Sequence, residues 1–187
     1  MTKKILITSF TTWLPHQKSN SSDDLLIELA KVNYLSSSLT FLRQLPVDIQ
    51  QASIRAIAQI DSLNPDIIIC CGMAEGRQQL TVESNATSEN NVIKTSVNLD
   101  KLIADLKVTA ISHNAGKFVC EGLYYSTLKY LRDRQLNSHC IFVHVPIITP
   151  HNVVEIKTDF SQIIDRLALL NGSRTPPLKF LKLIEVN

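Results

Sequence analysis

Asp66-Ile67-Ile68-Ile69-Cys70-Cys71-Gly72 is an unbroken apolar run held between a carboxylate and a glycine. A strand wetted on one side alternates apolar with polar residues. A run that does not alternate belongs to a strand buried on both faces, as in parallel sheets covered by helices. Ile141-Phe142-Val143 repeats the pattern farther along. Around these two, β-rich runs at 4–9, 39–45 and 108–111, with an extended piece at 78–85, alternate with longer helical patterns. Those patterns begin at Ser21-Ser22-Asp23, which offers N-cap residues, and continue at 47–63, 99–106, 117–136 and 159–170. The alternation predicts an α/β fold: a mostly parallel, open twisted sheet with helices on both faces, in three α/β/α layers. The polar stretch 84–91 reads as a loop tip.

At 187 residues the chain is one domain's worth of sequence. That domain is expected over 1–172, closed by Asn171-Gly172 as a helix C-cap pair. The text changes at Ser173 to Arg-Thr-Pro-Pro and then Leu-Lys-Phe-Leu-Lys-Leu, which reads as a C-terminal appendage over 173–187. A hydrophobic share of 44% fits a packed core and excludes a disordered chain. Lys and Arg number 19 against 17 Asp and Glu, so the net charge is only +2 and the basic stripe of a nucleic-acid binder is not expected. Cys70, Cys71, Cys120 and Cys140 form neither a CxxC pair nor a zinc comb, and His16, His113, His139 and His151 show no ligand spacing; no metal is expected. No apolar run approaches ~18 residues and no charged-then-apolar leader opens the chain. No membrane contact is therefore expected, and the cytoplasm is the expected compartment, where thiols stay reduced. Residues 72–77 match neither the dinucleotide fingerprint nor the P-loop.

In open parallel sheets the functional crevice lies beyond the carboxyl ends of the strands. Four stretches fall there on this reading: Ser9-Phe10-Thr11-Thr12-Trp13, Gly72 to Arg77, Ser112-His113-Asn114-Ala115-Gly116, and His144 before Pro146. Cys120 stands near a helix start, where the helix dipole favours a thiolate. It also heads the stripe Leu123, Tyr124, Thr127, Leu128 and Leu131, so pattern alone favours an inert core cysteine over a nucleophile. His144, in an apolar strand, is either a satisfied core histidine or a positioned base. A nucleophilic cysteine needs such an imidazole, and the imidazole in turn needs a carboxylate to fix its tautomer. Glu83, Glu75 and Glu121 compete for that place. Phe10 and Trp13 read equally as walls of an apolar pocket and as core packing.

Taken together these motifs resemble the pyrrolidone-carboxylate peptidases (pyroglutamyl peptidases type I), a family of cysteine peptidases. Thr8-Ser9-Phe10 stands where the family has Thr-Gly-Phe, Leu45-Pro46-Val47 matches its Leu-Pro-Val, and Asn64-Pro65-Asp66 precedes the third strand as in the family. Gly72-Met73-Ala74-Glu75-Gly76-Arg77 is similar to its Gly-Leu-Ala-x-Gly-Arg, with Glu83 at the place of the catalytic acid. Ser112 to Cys120 looks like the segment leading to the nucleophile, and Phe142-Val143-His144-Val145-Pro146 like the one holding the base. The resemblance implies removal of an N-terminal pyroglutamyl residue from a peptide with a blocked N-terminus. Cys120 would be nucleophile, His144 base and Glu83 orienting acid, and Phe10, Trp13 and Phe118 would wall the lactam pocket. It implies no metal and no organic cofactor; a homo-oligomer stays open, because the segment that contributes to subunit contacts in the family is missing here and the family's tetramer is not carried over.

The sequence also departs from the family. Thr12-Trp13-Leu14-Pro15 replaces Pro-Phe-Gly-Gly, and the Asp-Ala-Arg-Ile-Pro-Asp-Asn stretch with its following excursion is missing. Lys94 falls near the place of that stretch's arginine, which makes it the candidate helper at the oxyanion. Two rivals stand beside the peptidase reading: a binding protein that keeps the fold without turnover, and an amidohydrolase of another small amide.

Overall fold

The computed structural model describes residues 2–31 and 37–170. The proposed appendage and the Asn171-Gly172 cap lie outside the described residues. In chain order the elements are β1 (Lys3–Phe10), α1 (Ser21–Leu29), β2 (Ser37–Leu45), α2 (Ile49–Leu63), β3 (Ile67–Met73), β4 (Leu80–Glu83), β5 (Asn85–Ser88), β6 (Asn91–Lys94), α3 (Leu99–Ile103), β7 (Thr109–Ser112), α4 (Val119–Asp133), β8 (His139–Val145) and α5 (Val153–Ala168). Six strands form one sheet in the order β2-β1-β3-β8-β4-β7. Every neighbouring pair is parallel except β8 with β4. The mostly parallel α/β architecture expected from the apolar runs is present.

The non-alternating runs divide between two cores, as the two-residue period of a strand requires. Ile5 and Ile7, Ile67, Ile69 and Cys71, and Ile141, Val143 and Val145 pack with α1, α3 and α5. Leu6, Ile68 and Cys70, and Cys140 and Phe142 pack with α2 and α4. The same parity decides where the chemistry sits. Leu80 and Val82 of β4 belong to the first core, so Thr81 and Glu83 face the α2/α4 side, together with Phe142 and His144 of β8. The chain reverses lateral direction between β1, which β2 flanks on one side, and β3 on the other. This switch point opens a crevice at the carboxyl ends of β1 and β3.

Four sequence expectations are corrected. Residues 84–91 are largely a hairpin and not a loop tip: β5 and β6 pair antiparallel as a separate two-stranded sheet, turning at Glu89 with φ of 53°. Buried Ala86 and a bond from the Thr87 amide to the Glu121 carboxylate seat it against α4. α1 is capped by Asn20, whose side chain accepts from the Ser22 amide, one residue before the expected cap. α5 starts at Val153 and not at Asp159. Asp159 looks like a cap, but its carboxylate accepts from the Lys107 and Val108 amides and the Thr109 hydroxyl at the head of β7. Finally, β7 runs parallel to β4 and therefore opposite to β8, so Ser112 does not follow a strand directed at the crevice rim. Because both strands are only 4 residues long, Ser112 ends level with Glu83 and Phe142, and the 113–118 segment still returns to that rim.

Candidate active site

The site is assembled where β3, β8 and β4 run side by side. Gly72 of β3 is in register with His144 of β8, and on the other flank Thr81 and Glu83 of β4 face His144 and Phe142. The antiparallel β4 thus delivers a carboxylate to the imidazole of its neighbour. His144 Nδ1 lies 2.7 Å from Glu83 Oε1. With Nδ1–H donating to the acid, Nε2 is the acceptor end of the ring. Glu83 is fully buried and His144 is 5% exposed, and the Phe142 ring packs 4.8 Å from the imidazole, centroid to centroid.

Cys120 enters from the α2/α4 layer, as the second residue of α4. Its sulfur lies directly over Gly72: a Cβ built there would come within 2.6 Å of Sγ and 3.0 Å of Phe142 Cζ. Since Gly72 is the strand partner of His144, sulfur and imidazole share one patch of sheet. The glycine is a space requirement, because any side chain would occupy the sulfur's seat. Phe118, the N-cap, supplies no side-chain bond, and the first-turn amides of a helix have no intrahelical acceptor. Tyr124, farther along α4, donates from its hydroxyl to the Glu83 carbonyl at 3.0 Å, tying the helix that carries Cys120 to the strand that carries Glu83.

Burial pushes the Cys120 thiol up to about 12, with the Glu83 charge adding to it and the Arg77 guanidinium opposing. Desolvation thus acts against the helix dipole, which favours a thiolate, and shifts the thiol above its ordinary value. Burial also pushes Glu83 upward, yet the hydrogen bonds from His144, Ser112 and Arg77 outweigh it and hold the carboxyl below its ordinary value.

Arg77 is the residue that sequence reasoning missed, having entered only as the last letter of a motif. Its Nη1 donates to Glu83 Oε1 at 2.6 Å and also reaches the Thr81 hydroxyl. Its Nη2 donates to the Asn114 carbonyl at 3.0 Å. One guanidinium therefore clamps the acid and holds the loop that leads into α4. The signal for it was physical: a carboxylate destined for burial needs a cation, and Arg77 is the nearest one in sequence.

A cavity of about 190 Å³ opens onto the sulfur and the imidazole, walled by Phe10, Trp13 and Phe118. The Trp13 and Phe118 rings are 6.2 Å apart. Asn20, Val47, Met73, Ala115 and Val119 complete the lining, so among the described residues no Lys, Arg, Asp or Glu faces into it. Phe10, Trp13, Phe118, Cys120, His144 and Glu83 are brought together. Lys94 is not: it is exposed at the end of β6 and lines a different cavity, with Leu128 and Cys140. Glu75 bonds Gln17, and Glu121 accepts from Thr87, so neither competes for the imidazole. Among the described residues no cluster of His, Cys, Asp or Glu could hold a metal ion, and no helix is long and apolar enough to cross a membrane.

A thiol lying over the strand partner of an imidazole, with that imidazole hydrogen-bonded to a buried carboxylate, at the switch point of a parallel sheet, is the set of groups that an α/β cysteine hydrolase uses. The family model described as pyroglutamyl peptidase matches residues 3–109 and 95–166, and the chain belongs to that family. A pyrrolidone-carboxylate peptidase of Brevibacillus brevis is 26% identical over 133 residues, 57% of this chain and 62% of the relative, so the match spans less than two thirds of that protein. Pyrrolidone-carboxylate peptidase 1 of Caldanaerobacter subterraneus subsp. tengcongensis is 26% identical over 178 residues, 81% of this chain and 86% of its own. The fold is that of the pyroglutamyl peptidase I crystal structure from Bacillus amyloliquefaciens, with a TM-score of 0.81 at 22% identity, covering 91% of this chain and 97% of that one.

Proposed function

We propose that this chain hydrolyses the bond after an N-terminal pyroglutamyl residue, with Cys120 as nucleophile, His144 as general base and Glu83 as its orienting acid. The observation that carries the reading is the joining of the Glu83–His144 relay to a cavity that presents sulfur and imidazole but no charged side chain of Lys, Arg, Asp or Glu. A free N-terminal ammonium would enter such a cavity without a counter-charge, at a cost of several kcal/mol. A lactam is neutral and carries no such penalty. The aromatic walls suit a flat ring.

The chemistry follows from the protonation states. The Cys120 thiol is neutral until substrate arrives, and His144 Nε2 takes its proton as the sulfur attacks the pyroglutamyl carbonyl. The imidazolium so formed faces the Glu83 carboxylate, whose charge Arg77 already balances in the resting site. The backbone N–H of Cys120, in the first turn of α4, is the donor for the developing oxyanion. His144 then returns the proton to the leaving amine. A water, deprotonated by the same imidazole, hydrolyses the thioester to free pyroglutamate. Lys94 has no part in these steps.

The test is a pair of peptides identical except at the N-terminus, one beginning with pyroglutamate and one with free glutamine, followed by mass spectrometry. Wild-type protein is expected to shorten only the blocked peptide, and Cys120→Ala neither. No shortening by the wild type, or equal shortening of both peptides, would refute the proposal.

A further inference from the structure

The three aromatic walls of the cavity are fixed in different ways. Phe10 is the last residue of β1 and is 2% exposed, so the sheet holds it. Phe118 ends the 113–118 segment, which Arg77 holds through the Asn114 carbonyl. Trp13 stands on the connection between β1 and α1, outside any helix or strand, and is 40% exposed. It lies in the stretch Thr12-Trp13-Leu14-Pro15, where the sequence departs from its family, so its support has to come from this chain's own residues.

That support is one side chain. Leu14-Pro15-His16-Gln17 forms a turn closed by the Gln17 amide donating to the Leu14 carbonyl at 3.1 Å, with proline at the second position, where its fixed φ suits a β-turn. The Gln17 side chain folds back over the turn, and its Oε1 accepts from the Trp13 amide at 3.0 Å and the Leu14 amide at 3.2 Å. With the oxygen facing two N–H groups, the nitrogen faces outward. Its Nε2 donates to Glu75 Oε1 at 2.7 Å, and His16 Nε2 lies 3.6 Å from the same oxygen. Among the described residues, no other hydrogen bond joins 12–18 to another part of the chain. Glu75 belongs to the turn after β3 that also carries Arg77, closed by the Arg77 amide on the Ala74 carbonyl at 3.0 Å. One end of this turn therefore reaches the loop of the third wall, and the other reaches Glu83.

We infer that the Gln17–Glu75 bond is a clasp that positions Trp13 against the substrate ring, so that Gln17 and Glu75 are positioning residues for substrate binding. The inference rests on the pyroglutamyl reading above and adds to it the residues that set how firmly the ring is held. Neither side chain lines the cavity, so both act only through Trp13. With the clasp open, the loop samples arrangements in which the third wall is withdrawn, and apparent affinity falls with the fraction of molecules still closed. The chemical step, at Cys120 and His144, keeps its geometry.

Trp13 is the one tryptophan of the chain, so its fluorescence reports on this loop alone. In Gln17→Glu the new carboxylate still accepts from the two amides but faces Glu75 with like charge. The expected result is a KM for a chromogenic pyroglutamyl amide raised about fivefold, with kcat within about twofold of wild type and Trp13 about twice as open to quenching by acrylamide. Gln17→Glu/Glu75→Gln exchanges donor and acceptor, rebuilds the bond and should return both readings to the wild-type level. A residue that served stability alone would move neither KM nor the quenching of the folded protein. An unchanged KM in Gln17→Glu, or a raised KM that the exchange does not repair, would overturn the inference. A wild type that does not turn over pyroglutamyl substrates refutes the parent proposal alone. The clasp is then read from quenching: a rise in Gln17→Glu that the exchange reverses upholds it, and unchanged quenching refutes it.

Discussion

Asp23 and Glu83 are both buried carboxylates facing an arginine, and they are satisfied in opposite ways. Asp23 uses both oxygens: Oδ1 accepts from Ser9 at 2.7 Å and Arg43 Nε at 2.8 Å, and Oδ2 from Arg43 Nη2 at 2.9 Å and Gln44 at 3.2 Å. Glu83 concentrates Arg77 and His144 on Oε1, and its Oε2 is buried without a hydrogen-bond partner. A carboxylate that serves only the fold saturates its lone pairs, because each one left over costs about 1–3 kcal/mol. Glu83 instead turns its paired oxygen to the imidazole, so an imidazolium formed in the proposed reaction would lie against its charge. Asp23 is thus a cross-brace between β1, α1 and β2, and Glu83 is the acid that the proposed function places behind the imidazole.

The widest separation between the two should come from removing the charge at nearly constant shape. Glu83→Gln is expected to lower kcat/KM by about 10³–10⁴, as expected when an orienting acid is lost. Asp23→Asn should change kcat/KM less than about threefold while lowering stability by about 2 kcal/mol, since it leaves Arg43 and its neighbours poorly paired. Steady-state kinetics and urea denaturation on both variants check this. A reversal of the two patterns would break the distinction.

A smaller effect sharpens what the two acids share. For Asp23, burial pushes the carboxyl upward, but the bonds from Arg43, Ser9 and Gln44 bring it below its ordinary 3.8, as His144, Ser112 and Arg77 bring Glu83 below 4.5. A depressed native value means that the unfolded chain binds more protons as pH falls. The stability each supplies is therefore complete above its unfolded value and is lost as pH drops through its native one. The urea midpoint should fall between pH 6 and pH 3.5, and each single variant should flatten part of that decline. A midpoint independent of pH over this window would contradict the assigned shifts.

Much of this molecule was legible from residue pattern because its central strands are dry on both faces. Ile67 to Ile69 and Ile141 to Val143 admit no other reading, and the helices between them follow from their spacing. Cys120, His144 and Glu83 could each be named as candidates, but periodicity could not bring them together; the resemblance did that. Failures occurred where local chemistry was ambiguous. The β5–β6 segment is written in turn residues, Asn85, Thr87, Ser88 and Asn90, and is a hairpin only because Ala86 and Thr87 dock on α4. Asp159 imitates a helix cap while serving β7. The reversed direction of β4 and β7 is a non-local fact that no short window contains. The upward shift of the Cys120 thiol was equally hidden, since it depends on what packs around the sulfur and not on its place in a helix.

The most direct test of the relay is the double variant Glu83→Gln/His144→Ala against each single change, read as kcat/KM on a chromogenic pyroglutamyl amide. An acid that works only through the imidazole has nothing left to do once the imidazole is gone. The double variant is therefore expected to match His144→Ala within about twofold, which is within the roughly 0.5 kcal/mol spread of such cycles. Losses that multiply would show Glu83 acting independently of His144 and would contradict the account.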